Sequence, residues 1–282
     1  MLHRRASIFA ALIHSLAFSV HAHGDLHERI QFLTQQIATN ASNPTLLIQR
    51  AELFRQHQQF DAALLDLATA ARAHADERAI HLAQAQVFSD AGQTTNALDA
   101  VEKFLARETN HSGALVIRAR CRFKLNQPQA AVADYTQALH AIKTPEPDLY
   151  LDRARSQAAL GQLAAAANGL DEGLARLGEI PALALAAIEY DRQRADFDAA
   201  LARVDRLLIP APVKEPWLVL RAEILAQAGR LAEARDAFQQ SLGGIEKYPP
   251  VRRGLEQTIQ LQSRAREGLA HVEARLAKQS KA

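Results

Sequence analysis

Two histidines near the amino terminus have a spacing that suits metal ligation. His23 and His27 are four residues apart, which places both imidazoles on one side of a helix. If cleavage made His23 the first residue, its free amino group would add a third nitrogen, and such a set suits copper or zinc. We find no further ligand at the required spacing. We therefore interpret this segment as a solvated chain terminus and expect neither a metal ion nor another cofactor, with the two-histidine site as the alternative.

The motifs that usually carry catalysis are missing from the sequence. It contains no G-x-S-x-G, no phosphate-binding glycine-rich loop and no H-E-x-x-H. The only cysteine, Cys121, has no partner for an internal disulfide, and its place within a predicted helix favours a buried small hydrophobic side chain over a reactive thiol. We expect no catalytic residues and no enzymatic activity. A site built from helix surfaces alone is the alternative.

The first 22 residues differ in character from the rest. Arg4 and Arg5 precede an apolar run over residues 6–20, and Val20 and Ala22 are the small residues that a signal peptidase reads. This pattern predicts a secretory signal peptide cleaved after Ala22, and hence a periplasmic or secreted protein. A retained signal anchor is the alternative, although the run is shorter than the roughly 18 residues that a spanning helix needs.

Removal of this segment would change the charge of the chain. The formal net charge is +2, and Arg4 and Arg5 supply both charges, so residues 23–282 carry no net charge. No basic patch with interleaved aromatic residues remains, which argues against nucleic acid as the main partner.

The dominant pattern is a ladder of small residues. One set of alanines recurs at intervals of 34, 34, 35, 34 and 34 residues, and a second set precedes it by 12 residues throughout. The first set is Ala63, Ala97, Ala131, Ala166, Ala200 and Ala234; the second is Ala51, Ala85, Ala119, Ala154, Ile188 and Ala222. Two small residues per period, one on each of two helices, predict close helix crossings.

This period and pattern resemble the tetratricopeptide repeat (TPR) family. In the first repeat the aromatic positions fall on Phe54 and Phe60, and the small positions on Ala51, Ala63 and Ala70. The turn residues of successive repeats are Gln58, Gly92, Asn126, Gly161, Ala195 and Gly229. The resemblance implies an all-α fold, a right-handed superhelical solenoid of about six helix-turn-helix repeats that bury their apolar faces against one another.

The repeat phase predicts the organisation of the chain. A signal peptide spans 1–22, a capping helix 23–43, the repeats 44–248, and a C-terminal capping helix with its tail 249–282. The predicted repeats are 44–77, 78–111, 112–146, 147–180, 181–214 and 215–248. We interpret the array as one domain and expect no separate catalytic domain in its flanks.

Members of the family bind partners on the concave face, which the first helix of each repeat lines. Two repeat positions one helical turn apart lie on that face. The fifth position is aliphatic throughout: Ile48, Leu82, Val116, Leu151, Leu185 and Val219. The ninth position is Glu52, Gln86, Arg120, Arg155, Glu189 and Glu223, with Lys124 beside Arg120 one turn further on.

Two interpretations of these rows stay open. The first is a groove with an apolar floor, a basic centre at Arg120, Arg155 and Lys124, and acidic flanks, suited to an extended or helical peptide with an acidic middle. The second makes the aliphatic row part of the core between repeats and the charged row a solvated face. The Lys and Asn pattern with which some TPR domains bind a C-terminal carboxylate is absent.

Polar residues and glycines within the repeats also predict structure. Arg50 and Arg118 each have an aspartate 16 residues later, Asp66 and Asp134, and we expect structural ion pairs between facing helices. In the fourth repeat, Gly169 and Gly173 are followed by Ile188 where the other repeats have alanine. We expect Ile188 to fill the space beside the glycines, so that repeats four and five pack differently from the rest. A hinge is the alternative.

The sequence predicts that the protein acts by binding. The first hypothesis is an exported scaffold or assembly adaptor that holds a protein or peptide partner. The second is a copper- or zinc-binding exported protein that uses His23 and His27. The third is an accessory subunit of an enzyme complex whose activity resides in its partner.

Overall fold

The structure, a computed structural model, describes residues 25–280. The predicted signal peptide and His23 therefore lie outside the described residues. The described chain contains helices and no β-strand, and none of its helices is long and apolar enough to cross a membrane. It divides into two compact units between Pro145 and Glu146. We call them the N-terminal unit and the C-terminal unit and describe each by itself.

Both units are built from consecutive helical hairpins whose neighbouring helices pack together. The helices of the N-terminal unit are α1 (25–39), α2 (Pro44–Gln56), α3 (Phe60–Arg72), α4 (Glu77–Asp90), α5 (Thr94–Leu105), α6 (Ser112–Lys124) and α7 (Pro128–Ala141). Those of the C-terminal unit are α8 (Pro147–Ala159), α9 (Leu163–Leu177), α10 (Pro181–Gln193), α11 (Phe197–Leu208), α12 (Glu215–Gln227), α13 (Leu231–Glu246), α14 (Pro250–Arg253) and α15 (Glu256–Gln279).

Proline and short polar side chains mark where many of these helices begin. Pro147 and Pro181 occupy the first position of α8 and α10, where no hydrogen bond from the backbone nitrogen is needed. Asn43 accepts a hydrogen bond from the Thr45 backbone N–H at 3.0 Å and caps α2. Local sequence therefore fixes these helix starts without help from the rest of the fold.

A left-handed residue ends the first helix of each predicted repeat. The φ angles are 60° at Gln58, 73° at Gly92, 58° at Asn126, 73° at Gly161, 59° at Ala195 and 77° at Gly229. Glycine adopts this conformation without strain and Asn tolerates it, whereas an alanine there is strained. These are the six residues that the sequence pattern places at the turn.

The small residues of the ladder lie where the helices cross. All twelve positions of the two sets are buried, each with at most 1% of its surface exposed. In the N-terminal unit, Ala51 and Ala63 belong to one core cluster with Leu47 and Leu67. Because an alanine side chain ends at Cβ, the two helices of this hairpin can approach closely.

The predicted ion pairs are present. Arg50 donates from Nε to Asp66 Oδ2 and from Nη2 to Asp66 Oδ1, both at 2.7 Å. Arg118 makes the same two-pronged contact with Asp134 at 2.9 and 2.7 Å, and Arg122 adds a third bond to this carboxylate at 2.9 Å. Each pair ties the first helix of a repeat to the second.

The fourth repeat replaces this pair with a different arrangement. Gly169 stands 16 residues after Arg153, so no carboxylate meets the guanidinium there. Arg153 Nη2 instead donates to the Gly169 carbonyl oxygen at 3.2 Å and to Glu172 Oε2 at 2.6 Å. Within residues 25–280, Arg153 Nε and Gln157 Oε1 are buried without a hydrogen-bond partner. The guanidinium of this hairpin is therefore less completely hydrogen-bonded than those of Arg50 and Arg118.

The expectation that Ile188 fills the space beside the glycines is wrong. A Cβ placed on Gly173 would lie 2.9 Å from both Tyr150 Cγ and Leu183 Cδ1, so these two side chains take the space. Ile188 packs elsewhere, in the cluster that contains Ala200 and Val219. The reason is geometric, because α8 lies directly against α9 and delivers Tyr150 to the glycine face. A hinge at this place stays a prediction, which amide hydrogen exchange of α9 would test.

Exchanging the turn residues of repeats four and five tests the left-handed turns. We expect Ala195→Gly to raise the free energy of unfolding by about 0.5–1 kcal/mol, because it relieves backbone strain. Gly161→Ala, the reverse change at the matching position, should lower it by about 1 kcal/mol. Urea denaturation of both variants gives the values, and a destabilising Ala195→Gly would contradict the interpretation.

The two glycines of α9 should respond differently to alanine. Gly173→Ala places Cβ against a ring and a leucine methyl that are held in the core, so we expect a loss of about 1–3 kcal/mol from overpacking. Gly169→Ala meets the polar ends of Arg153 and Gln157, at 3.1 and 3.3 Å, which need to shift by only a few tenths of an ångström, and it gains helix propensity of up to about 1 kcal/mol. Thermal unfolding should separate the two variants, and equal midpoints would show that α9 is not packed as described.

Candidate functional site

The predicted groove residues lie on the first helices of the repeats. In the N-terminal unit they stand on α2, α4 and α6, and in the C-terminal unit on α8, α10 and α12. The structure therefore gives two surfaces to consider, each with an aliphatic row and a charged row.

The aliphatic row is not uniformly accessible. Leu185 is 42% exposed, and Val219 is fully buried. The other four members are half-buried: Ile48, Leu82, Val116 and Leu151. Val219 packs in a cluster that includes Ala265 and Val272 of α15. The prediction that Val219 lines a binding groove is therefore wrong, because its side chain belongs to the core that α12 shares with neighbouring helices.

The acidic residues of the charged row are engaged within the protein. Glu52 accepts hydrogen bonds from Arg55 Nε and Nη2, both at 2.7 Å, and from Gln56. The bond from Arg55 holds the pKa of Glu52 below its usual value. Glu189 accepts from Arg192 and Gln193, both at 3.1 Å. These carboxylates therefore offer a partner less negative charge than the sequence suggests.

The last acidic position is closed by the C-terminal helix. Arg264 of α15 donates from Nε and Nη2 to the two carboxylate oxygens of Glu223. Arg275 of the same helix donates to the Ala226 carbonyl oxygen at 3.0 Å. The acidic flank predicted at Glu223 is thus a docking point for α15, which packs against α12 and α13.

The basic residues are distributed over both units. Arg120 and Lys124 are exposed on α6 of the N-terminal unit. Arg155 of the C-terminal unit has 60% of its side chain exposed and pairs with Asp152 at 3.0 Å. The structure thus brings Arg120 and Lys124 together on one helix, one turn apart. Gln86 of α4 is half-buried and adds no charge.

An aromatic residue that the pattern missed completes the α6 surface. Phe123 is 38% exposed and lies three residues after Arg120 and directly before Lys124. With Val116 these residues occupy one side of the helix, since they are spaced by three or four or stand side by side. We call Val116, Arg120, Phe123 and Lys124 the α6 face. Phe123 stands at the twelfth repeat position, where the first repeat has Arg55. A comparison of that position between repeats would therefore have singled it out.

A second surface is a cleft between α1 and α2, which contains Ile48 and Glu52 of the predicted groove together with residues that the pattern missed. It encloses about 510 Å³, and its apolar walls come from Phe32, Leu33, Ile48 and Leu53. Phe32 is 60% exposed. The pattern gave no reason to select it, because it lies off the apolar stripe of α1, which consists of Leu26, Ile30, Leu33 and Ile37. A solvent-exposed aromatic ring beside a cleft offers an anchoring point for an apolar side chain.

A second cleft lies in the C-terminal unit between α12 and α15. It encloses about 430 Å³, and Arg192, Glu223, Gln227 and His271 contribute to its walls. Arg192 Nε donates to Gln227 Oε1 at 2.9 Å, which links neighbouring repeats across this surface. Like the cleft between α1 and α2, this cleft is lined by four polar or charged side chains.

The residues considered for metal binding or thiol chemistry do not form a site among those described. His27 lies with Nε2 at 3.0 Å from Gln31 Nε2. Over residues 25–280 no group of three or more His, Cys, Asp or Glu side chains is arranged to hold a metal ion. Cys121 is buried, as predicted, and burial raises the pKa of its thiol. A buried neutral thiol is a poor nucleophile.

Comparison with known proteins identifies the class. A family model described as "Tetratricopeptide repeat" matches residues 82–147 and 183–250. A search of curated proteins found no match. These two segments include the helix pairs that carry the alanine ladder through repeats two, three, five and six.

Solved structures share the fold at low sequence identity. The C-terminal part of a TPR repeat-containing protein from Cytophaga hutchinsonii gives a TM-score of 0.63 at 15% identity, covering 82% of this chain and 95% of that one. A TPR protein from Parabacteroides merdae gives 0.53 at 17% identity, covering 88% and 95%. PilF of Pseudomonas aeruginosa gives 0.50 at 16% identity, covering 78% and 96%.

The fold is that of an all-α tetratricopeptide repeat solenoid, and the tetratricopeptide repeat family model matches two segments of it. Such folds serve as frameworks for protein–protein interaction. At identities under 20% the structural neighbours define the fold and not the partner.

Proposed function

We propose that this protein is an exported, non-enzymatic scaffold or assembly adaptor that binds a protein partner through the first helices of its repeats. The repeat fold supports the general role, since stacked helical hairpins present long surfaces to extended or helical segments. The nature of the partner follows from the side chains that these surfaces leave exposed.

The α6 face is the observation that carries the proposal. Lys124 is an exposed cation beside the exposed ring of Phe123, and Val116 adds half-buried apolar surface one turn before Arg120. A peptide with an acidic residue next to a bulky apolar one matches this combination. Burial of the apolar contacts would supply the affinity, and the charges would favour the correct register and partner.

The cleft between α1 and α2 gives the N-terminal unit a second anchoring point. Its walls are mainly apolar, and the nearest acidic residue, Glu52, is already paired with Arg55. A partner segment therefore needs an apolar side chain here, and the exposed Arg29 of the lining favours an acidic group beside it. We propose that the partner is an amphipathic segment with an acidic portion, in accordance with the basic centre that the sequence suggests.

Charge reversal on α6 tests the role of this surface. We expect Phe123→Ala combined with Lys124→Glu to lose the partners that wild type recovers from the exported fraction, because the apolar contact and the attraction to acidic groups are both removed. Lys103→Glu is the matched control: Lys103 is exposed on α5, the second helix of its repeat. Quantitative pull-down compares the three proteins. Equal recovery by wild type and the double variant would exclude the α6 face.

Export is tested separately, at the amino terminus. If residues 1–22 are a cleaved signal, the exported protein should begin at His23, and intact mass with amino-terminal sequencing will show this. Replacing Leu12 and Ile13 with Arg interrupts the apolar run. The chain should then stay inside the cell and keep residues 1–22. Normal export of this variant would contradict the proposal, whereas export of a chain that retains residues 1–22 would favour the signal anchor.

A further inference from the structure

The C-terminal unit contains a cavity whose walls come mainly from second helices, whereas the proposed partner surface lies on the first helices of the repeats. The cavity encloses about 490 Å³ between α9 and α11 and reaches the connection from α9 to α10. Five apolar side chains line it: Leu174, Ala175, Ile180, Ala184 and Leu207. This volume is within the range of about 300–1,000 Å³ that is typical of small-molecule sites.

A missing side chain explains why the cavity is found here. Ala184 occupies the fourth position of its repeat, where the first, third and fourth repeats have Leu47, Leu115 and Tyr150. Those three large side chains are each at most 2% exposed and fill the space between the helices. At Ala184 the same space has no atoms beyond Cβ. The opening therefore coincides with the smallest side chain that any of the six repeats has at this position.

The connection from α9 to α10 shapes one edge of the cavity. Gly178 has φ of 89°, a conformation that residues with a Cβ rarely adopt, and this sharp turn directly precedes Glu179 and Ile180. Both of these residues contribute to the lining. The edge is thus set by backbone geometry as well as by packing.

The charged residues of the lining balance one another. Arg203 is buried and pairs with Asp171 of the lining and, through Nε at 2.6 Å, with the fully buried Asp191. Arg206 and Glu179 are exposed and carry one charge of each sign. With two acids and two bases around an apolar interior, the cavity offers no net charge to a ligand.

The cavity is distinct from the surface considered for protein partners. Its walls come mainly from α9 and α11, the second helices of their repeats. Leu185, the neighbour of Ala184 in the chain, is exposed, whereas Ala184 itself is buried beneath the cavity. Ala184 therefore faces the cavity, whereas Leu185, the next residue of α10, faces solvent.

We propose that this cavity is a binding site for a neutral, mainly apolar small molecule. Its apolar lining gives the favourable burial, and the fixed Asp171–Arg203 pair offers polar atoms at one wall. The site is independent of the partner surface on the first helices and goes beyond the scaffold function.

Filling the cavity tests the proposal. The purified chain is titrated with the neutral fluorescent probe N-phenyl-naphthylamine, and we expect a saturable rise in fluorescence with one probe per chain. Ala184→Leu introduces the residue that the first and third repeats carry at this position, and should weaken binding by about tenfold or more because it occupies the site. Ala232→Leu, the same change at an exposed position of α13, should leave the affinity unchanged.

Further measurements keep the result decisive. The anionic analogue anilinonaphthalene sulfonate should bind more weakly than the neutral probe, and equal or tighter binding would overturn the ligand class. Circular dichroism and thermal unfolding show whether Ala184→Leu is folded. If Ala184→Leu does not fold, Ala175→Leu at the exposed edge of the cavity is used in its place, and it too should weaken binding of the neutral probe by about tenfold or more. Unchanged affinity in a folded cavity variant, or no saturable binding by wild type, overturns the site.

Discussion

Close contact between helices at the small residues is the constraint on which the rest of the structure depends. All twelve ladder positions have at most 1% exposed surface, so there is no room at them for a change in helix separation. Protein interiors are packed densely enough that one additional methylene is felt. Eleven of the twelve are alanine, and the twelfth, Ile188, packs in the cluster that contains Ala200 and Val219. The short distance between the helices at these positions brings the side chains on either side of the small residues, both polar and apolar, into contact across the helix pair.

The polar contacts between helices follow from this spacing but vary from repeat to repeat. Arg50 and Arg118 find an aspartate on the facing helix, whereas Arg153 finds Gly169. In the fifth repeat the charges are exchanged, because Arg203 stands at the position of Asp66 and pairs with Asp191 of α10. The same helix pair therefore holds three different polar contacts: arginine to aspartate, arginine to a backbone carbonyl, and the aspartate-to-arginine arrangement of the fifth repeat. Repeats four and five depart furthest from the others, and the cavity next to Ala184 lies there.

The surface available to partners is smaller than the count of charged residues suggests. Within the described part of the chain, Glu52, Glu189 and Glu223 all accept hydrogen bonds from arginine, and α15 accounts for the last of them. Ion pairs at this level of exposure contribute little to stability, about 1 kcal/mol or less each. They matter more for recognition, because they lower the negative potential that an approaching partner would meet. What remains prominent is the apolar and basic surface of α6 and the apolar cleft beside Phe32.

The sequence by itself determined the helical repeat, the burial of the small residues, the six left-handed turns and the Arg50–Asp66 and Arg118–Asp134 pairs. These depend on spacing along the chain and on backbone preferences, which a period of 34 residues makes visible. Only the tertiary structure decided that Val219 is core, that Tyr150 and Leu183 rather than Ile188 occupy the space beside Gly173, and that Glu223 is bound by Arg264. It also revealed Phe32, Phe123 and the opening at Ala184. The solvent exposure of a side chain depends on residues of other helices that pack against it, sometimes 40 or more positions away in the chain. A local sequence pattern does not contain that information.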